Sequence, residues 1–256
     1  MIDMHSHIIP GIDDGSKSIE QSLEMIRNAY NDGTEKIIAT PHYCLGYAET
    51  QFNDVRKHFE NLKKEVRNEE IDIEIYLGQE VYFSENIVND YKQGVIGTIN
   101  NSRYMLFETP MNNIDENTLD TIYELQILGI VPILAHPERY KEFIDDPKAI
   151  NKFVKEGILL QMNAGSITGL FGKSVKKTAE ILLANDLYNF IGSDAHNTKN
   201  RTTGLTNALN LANKINKNSS ILFEESSLNV LNNEEVKFVG QAIKQKKNIF
   251  SLLSIR

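Results

Sequence analysis

The sequence predicts an α/β protein built on a parallel sheet, folded as one domain over residues 1–256, with its site at the carboxyl ends of the strands. Three observations predict it. Short apolar runs alternate with amphipathic segments along most of the chain. There are seven such runs, which favours a barrel over an open sheet. Histidines and acids gather where the runs end, and in parallel barrels that end is the functional face.

The elements follow in order. MIDMH (1–5) is the first strand. Ser18 with Gln21 forms a capping box; Ile19, Leu23, Ile26 and Tyr30 then recur at helical spacing, and Gly33 stops the helix. KIIAT (36–40) is the second strand, and residues 51–69 carry a helical stripe of Phe52, Val55, Phe59 and Leu62. IEIYLG (73–78) is the third strand, and the irregular crossover 84–100 is a weak helix at best. RYMLFE (103–108) precedes a helix over 115–128 with Leu119, Ile122, Tyr123 and Leu125. IVPILAH (130–136) is followed by Asp146-Pro147, which opens a helix with proline at its first position. ILLQMNA (158–164) and YNFIGSD (188–194) are the last strands, with helices over 173–185 and 202–216. The end of the chain reads as a strand-like piece, Ile221 to Phe223, and a helix over 234–247 whose Lys244, Lys246 and Lys247 form a solvated face.

Composition narrows the function. The net charge of −8 argues against nucleic-acid binding. A single cysteine, Cys44, leaves no disulfide framework and no thiolate metal cluster. There is no signal-like start and no apolar run long enough to span a bilayer, so a cytoplasmic protein without membrane insertion is expected.

Five of the six histidines sit at strand ends or just past them: His5, His7, His42, His136 and His196. His58 lies mid-helix and reads as a surface residue. Glu80, Glu108 and Asp194 share the level of the five histidines, and Asp14 follows the first strand. Taken singly, each has a bland explanation. A buried histidine is commonly a hydrogen-bonded core residue, Asp13-Asp14-Gly15 fits a turn, and Glu108 is placed to pair with Arg103 or Arg139. Nine nitrogen and oxygen donors at coincident strand ends point instead to metal. Imidazole and carboxylate suit Mn, Fe and Zn, and nine donors suit two or three ions sharing carboxylates rather than one. Two close metals can activate a water and stabilise in-line displacement at phosphorus.

The segments IDMHSHIIPGIDDG, TPHY, GQE, FETP, AHPERY and GSDAHN resemble, in order, the motifs of the PHP (polymerase and histidinol phosphatase) superfamily. The likeness is closest to the metal-dependent bacterial tyrosine phosphatases of capsule and exopolysaccharide clusters. It runs from residue 2 to about 205 and includes NAGSITGLFG (163–172). It implies a distorted (β/α)7 barrel and three divalent ions, commonly manganese. It also implies a ligand division: His5, His7, Glu80 and Asp194 around one ion, Glu80 bridging to a second with Glu108 and His136, and Asp14, His42 and His196 around the third. Asp3 would orient a ligating histidine, and Asp13 would be a turn residue. Arg139 and Arg201 would bind the phosphate. The implied substrate is a phosphotyrosine protein, a tyrosine autokinase of polysaccharide export.

Alternatives stay open at this level. A histidinol-phosphate phosphatase shares the metal basin, a nuclease or editing domain calls for a basic track, and a non-enzymatic metal module calls for missing ligands. A cysteine-based phosphatase needs arginine six positions beyond its cysteine; Thr50 stands there.

Overall fold

The structure, a computed structural model, describes residues 1–244. Its strands are β1 (Ile2–Ser6), β2 (Lys36–Ala39), β3 (His42–Tyr43), β4 (Glu74–Leu77), β5 (Glu80–Tyr82), β6 (Tyr104–Glu108), β7 (Val131–Ala135), β8 (Leu159–Asn163) and β9 (Phe190–Gly192). The helices are α1 (Ile19–Asn31), α2 (Phe52–Asn68), α3 (Ile87–Lys92), α4 (Thr118–Ile127), α5 (Lys141–Asp145), α6 (Ile150–Lys155), α7 (Ala164–Thr168), α8 (Lys173–Ala184), α9 (Thr206–Ile215) and α10 (Ser219–Leu231).

All strand pairs are parallel, in the orders β1-β2-β4 and β3-β5-β6-β7-β8-β9. The seven expected runs are all present, but two of them are bent. The second gives β2, then Pro41, then β3; the third gives β4, then Gly78-Gln79, then β5. Proline has no N–H to offer a ladder, so pairing shifts at that point. Cross-strand bonds still span both bends: Gly78 N–H donates to Ala39 O at 2.7 Å, and Glu80 N–H donates to Pro41 O at 3.0 Å. The ring closes where β9 meets β1. There Asp194 N–H donates to His5 O at 2.8 Å and His7 N–H to Ala195 O at 2.9 Å. On the lower half the turn Ile99–Asn101 packs between β4 and β6, which do not pair. The result is a distorted barrel.

Three apolar clusters hold it. Ile2, Met4, Ile38, Leu106, Ile133 and Phe190 form one, completed by Val230 and Leu231 of α10. That helix covers the amino ends of the strands, where Asn100 Nδ2 donates to Leu231 O at 3.0 Å and Arg103 N–H to Asn233 Oδ1 at 2.9 Å. Helices α1 and α2 pack Leu23, Ile26, Val55, Phe59 and Leu62 on the outer faces of β2 and β4. The remaining helices bury the outer side of β6 to β9.

Several expectations need correction. Ile221 to Phe223 lies inside α10, because Phe223, Ser227, Val230 and Leu231 repeat at helical spacing and are buried. Residues 234–244 form no helix; the rest of that expected helix, with Lys246 and Lys247, lies outside the described residues. Ser18 does cap α1, accepting from Gln21 N–H at 3.3 Å, but Tyr30 and Tyr123 face solvent rather than the core.

Glycine is required where the ring closes. A Cβ at Gly192 would stand 2.5 Å from His5 Cβ and 2.9 Å from His5 N. Neither neighbour is a flexible side-chain end, so Gly192→Ala should lower unfolding free energy by about 1–3 kcal/mol, as overpacking does. Urea denaturation measures it, and an unchanged midpoint contradicts this account of the seam.

Candidate metal centre

The carboxyl ends of the strands bring nine donors together in one basin. His5 and His7 come from β1 and its exit, His42 from β3, Glu80 from β5, Glu108 from β6 and His136 from the exit of β7. Asp194 and His196 follow β9, and Asp14 lies on the turn after β1. Two of these donors sit in the left-handed backbone region, His136 at φ 35° and Asp194 at φ 53°. Non-glycine residues rarely adopt it, and such strain concentrates at functional sites. At His136 it turns the chain out of β7 into the short helical turn Pro137–Arg139.

Three groups of donors are compact enough to hold a cation: His5, His7, Glu80 and Asp194; His7, Asp14, His42 and His196; and His42, Glu80 and Glu108. In the first, His5 Nε2 and His7 Nε2 lie 3.0 and 3.2 Å from Glu80 Oε2, and 3.6 and 3.4 Å from Asp194 Oδ1. In the second, Asp14 Oδ1 lies 3.6 Å from His42 Nε2 and 3.3 Å from His196 Nε2. In the third, His42 Nδ1 lies 3.1 Å from Glu80 Oε2 and 3.2 Å from Glu108 Oε1. His136 Nε2 stands beside this group, 2.9 Å from Glu80 Oε1 and 3.7 Å from Glu108 Oε2. His7 and His42 each belong to two groups, whereas the ligand division that the resemblance implies gives each of them to one.

Apart from the hydrogen bond between His136 Nε2 and Glu80 Oε1, these contacts are close but poorly directed. Among the described residues Glu80 Oε2, His42 Nδ1 and His196 Nε2 are buried without a hydrogen-bond partner. Lone pairs that crowd within about 3 Å yet do not form hydrogen bonds point toward shared positions between them, which is the donor arrangement a cation needs. Buried carboxylates without compensation are costly. The oxygen and imidazole set fits hard to borderline divalent ions.

The electrostatics follow from the crowding. Burial works to raise the Glu80 carboxyl, but His5, His42 and His136 hold it well below the usual carboxylate range. Burial likewise works on Asp194, and His5, His7 and Arg201 overcome it in the same direction. Burial opposes the charged form of His7, yet Asp13, with Asp194 and Glu80, raises it well above the ordinary histidine value. His196 goes the other way, pushed down by burial and by the neighbouring His7.

A second layer fixes the histidines. Asp13 Oδ2 accepts from His7 Nδ1 at 2.8 Å and from His42 N–H at 2.9 Å, while its Oδ1 takes Gly15 N–H at 2.9 Å. Asp13 therefore orients His7 as well as shaping the turn, which corrects its reading as a turn residue. His5 Nδ1 lies 2.9 Å from Gln161 Oε1, and His196 Nδ1 lies 3.0 Å from Asp194 O. Each of these bonds occupies Nδ1 and leaves Nε2 facing the basin. Among the described residues no hydrogen bond joins Asp3 to a histidine ring; its Oδ1 takes the N–H groups of His5 at 3.2 Å and Ser193 at 2.8 Å, tying β1 to the exit of β9. Burial raises its carboxyl to about 6.

Gln161, Asn163 and Glu138 support the basin, although no role is assigned to them from the sequence. Gln161 Nε2 donates to Asn163 Oδ1 at 3.0 Å, and Asn163 Nδ2 to Asp194 Oδ2 at 2.5 Å. Glu138 takes Asn163 N–H and the Tyr188 hydroxyl, each at 2.9 Å. Two polar residues at alternate positions ending an otherwise apolar strand were the available signal.

Both arginines reach the basin through Asp194. Its Oδ2 lies 3.0 Å from Arg139 Nη1 and 2.6 Å from Arg201 Nη2. The Arg139 guanidinium also stacks 4.6 Å from the centre of the Phe171 ring. Glu108 pairs with histidines, and Arg103 is occupied by Asn233. Cys44 lies on the loop beyond His42; burial and the Glu108 charge push its thiol up, opposite to a nucleophile's need.

Comparisons with known proteins bear on the chain as a whole. Tyrosine-protein phosphatase YwqE of Bacillus subtilis is 34% identical over 209 residues, covering 82% of this chain and 82% of that protein. Tyrosine-protein phosphatase CpsB of Streptococcus agalactiae serotype III is 30% identical over 243 residues, covering 92% of this chain and 100% of that protein. A solved structure from work on YwqE of Bacillus subtilis and CpsB of Streptococcus pneumoniae, described as unique metal-dependent tyrosine phosphatases, superposes with a TM-score of 0.90 at 32% identity, covering 96% of this chain and 100% of that one. A lactonase from Listeria monocytogenes, 14% identical with a TM-score of 0.50 over 95% of each chain, shares the fold alone. The family model described as capsular polysaccharide synthesis, CpsB/CapC, matches residues 1–232. With this match, this chain belongs to the CpsB/CapC family of capsular polysaccharide synthesis.

Proposed function

We propose that this protein is a metal-dependent phosphatase that hydrolyses phosphotyrosine on a protein, with a tyrosine kinase of polysaccharide export as the substrate and the cytoplasm as the setting. One observation carries the reading: nine metal-type donors and two arginines converge on one basin. The names of the relatives support the tyrosine ester over histidinol phosphate. No helix among the described residues is long and apolar enough to cross a membrane.

His5, His7, Asp14, His42, Glu80, Glu108, His136, Asp194 and His196 would hold three divalent ions, manganese in this reading, with Fe or Zn as substitutes. Bound there, the ions supply an activated water and positive charge for in-line displacement at phosphorus. The protein's own part is placement and charge. Arg139 and Arg201 stand over Asp194, and a phosphoryl group brought beside them gains bidentate donors that offset charge developing in the transition state. Phe171 backs the Arg139 plane and limits its swing. Phenol has a pKa of about 10, so phenolate leaves without a dedicated protein acid.

Chelation should abolish turnover of a phosphotyrosine peptide, and Mn²⁺ should restore it. Cys44→Ser should retain activity; a folded but inactive Cys44→Ser protein sinks the metal mechanism.

Glu80 faces two of the three groups, so Glu80→Ala should lower metal content at more than one position. His136→Ala should lower it at one. Elemental analysis decides, and full occupancy in the Glu80 variant removes it from the ligands.

Arg139→Ala should keep its metals, because Arg201 and Asn163 still hold Asp194. Its kcat/KM should fall roughly 30- to 1000-fold, about 2–4 kcal/mol, the cost of a charged donor that strengthens in the transition state. Lysine should rescue only partly, since it keeps the charge and loses the planar fork. Near-unaltered kinetics in Arg139→Ala would return it to a structural ion pair.

A further inference from the structure

Tyr47 is 64% exposed, yet its backbone is tightly held. Cys44 N–H donates to Ala48 O and Ala48 N–H to Cys44 O, both at 2.8 Å, and Tyr47 N–H donates to Cys44 O at 3.1 Å. Gly46, at φ 79°, supplies the left-handed residue that so tight a turn needs. Ala48 is buried and anchors the turn, which thrusts Leu45 and Tyr47 outward.

Scattered apolar side chains on a surface need no explanation. Tyr47 differs from the others in where it stands. Its ring centre lies 6.5 Å from that of His42, edge-on at 66°. It thus stands beside one of the nine donors while leaving most of its ring to solvent. The arginines occupy a different part of the basin, at Asp194. An ester group on a phosphoryl held in the basin must leave toward solvent, and Tyr47 presents an exposed aromatic ring at the edge beside His42.

We propose that Tyr47 is a specificity-determining residue, the wall against which the phenyl ring of an aryl phosphate packs. The assignment rests on the phosphatase reading above. Offset or edge-to-face aromatic contact would favour an aryl group over an alkyl group of equal charge. The preference lies in binding, because the wall touches the ring and not the reacting atoms.

Two non-hydrolysable probes separate ring from charge: phenylphosphonate and methylphosphonate. Titration calorimetry on the Mn²⁺-loaded full chain gives the ratio of their Kd values. The unaltered protein should prefer phenylphosphonate by roughly tenfold. Tyr47→Ala should erase most of that preference by weakening phenylphosphonate alone. Tyr47→Phe should keep it, because the ring remains. Equal weakening of both probes in Tyr47→Ala overturns the assignment and makes Tyr47 a support for His42. Loss of the preference in Tyr47→Phe also overturns it and moves the role to the hydroxyl. If the unaltered protein binds neither probe, the phosphatase reading itself fails and takes this assignment with it.

Discussion

The burial of Glu80 and Asp194 beneath a ring of histidines is the constraint on which the rest of the structure depends. Both carboxylates are almost wholly withdrawn from water. Isolated charges in such a setting are unsustainable, so compensating neighbours must come from several strands at once. Glu80 meets His5, His7, His42 and His136. Asp194 meets His5 and His7 on one oxygen and both arginines on the other. These partners are far apart in sequence, and only a closed arrangement of parallel strands brings them together.

The distortion of the barrel serves that convergence. A straight second strand would run on from Ala39 in the β1-β2-β4 ladder. The bend at Thr40-Pro41 instead moves His42 into pairing with Glu80 on β5. The matching bend at Gly78-Gln79 moves Glu80 into register with Leu106, two residues before Glu108. Closure between β9 and β1 is equally tight: Gly192 leaves room for His5, and Asp3 joins the two strands by their backbone N–H groups. A similar close approach at Gly15, whose Cβ would meet His7 O at 2.3 Å, seats the Asp13-Asp14 turn over the basin.

Around this shell runs a continuous polar chain. It leads from His5 through Gln161 and Asn163 to Asp194, with Glu138, itself held by the Tyr188 hydroxyl, accepting the Asn163 N–H from behind. Glu138 also belongs to the turn that carries Arg139, so the turn bearing that arginine is tied to the strand that orients a donor. Fixed neighbours of this kind set ring tautomer and side-chain direction before any ligand arrives.

Residue types and their order along the chain determined a great deal alone. Alternating apolar runs and amphipathic segments dictate a parallel sheet, and in such a sheet every strand exit lies on one face. His5, His7, His42, Glu80, Glu108, His136, Asp194 and His196 were therefore legible as neighbours, because strand periodicity is local and the topology does the rest. The folded chain decided what local pattern cannot carry. Asp13 could be read as a turn; only its rotamer makes it the partner of His7. Asp3 and Ser193 are 190 positions apart, and nothing in either segment announces the bond between them. Gln161 and Asn163 look like ordinary polar interruptions until β8 is placed beside β9. The sharing of His7 and His42 between donor groups, the meeting of both arginines on one oxygen of Asp194 and the position of Tyr47 against His42 depend on side-chain directions set by packing across strands. Sequence spacing does not encode those directions, since contacts between distant segments select them.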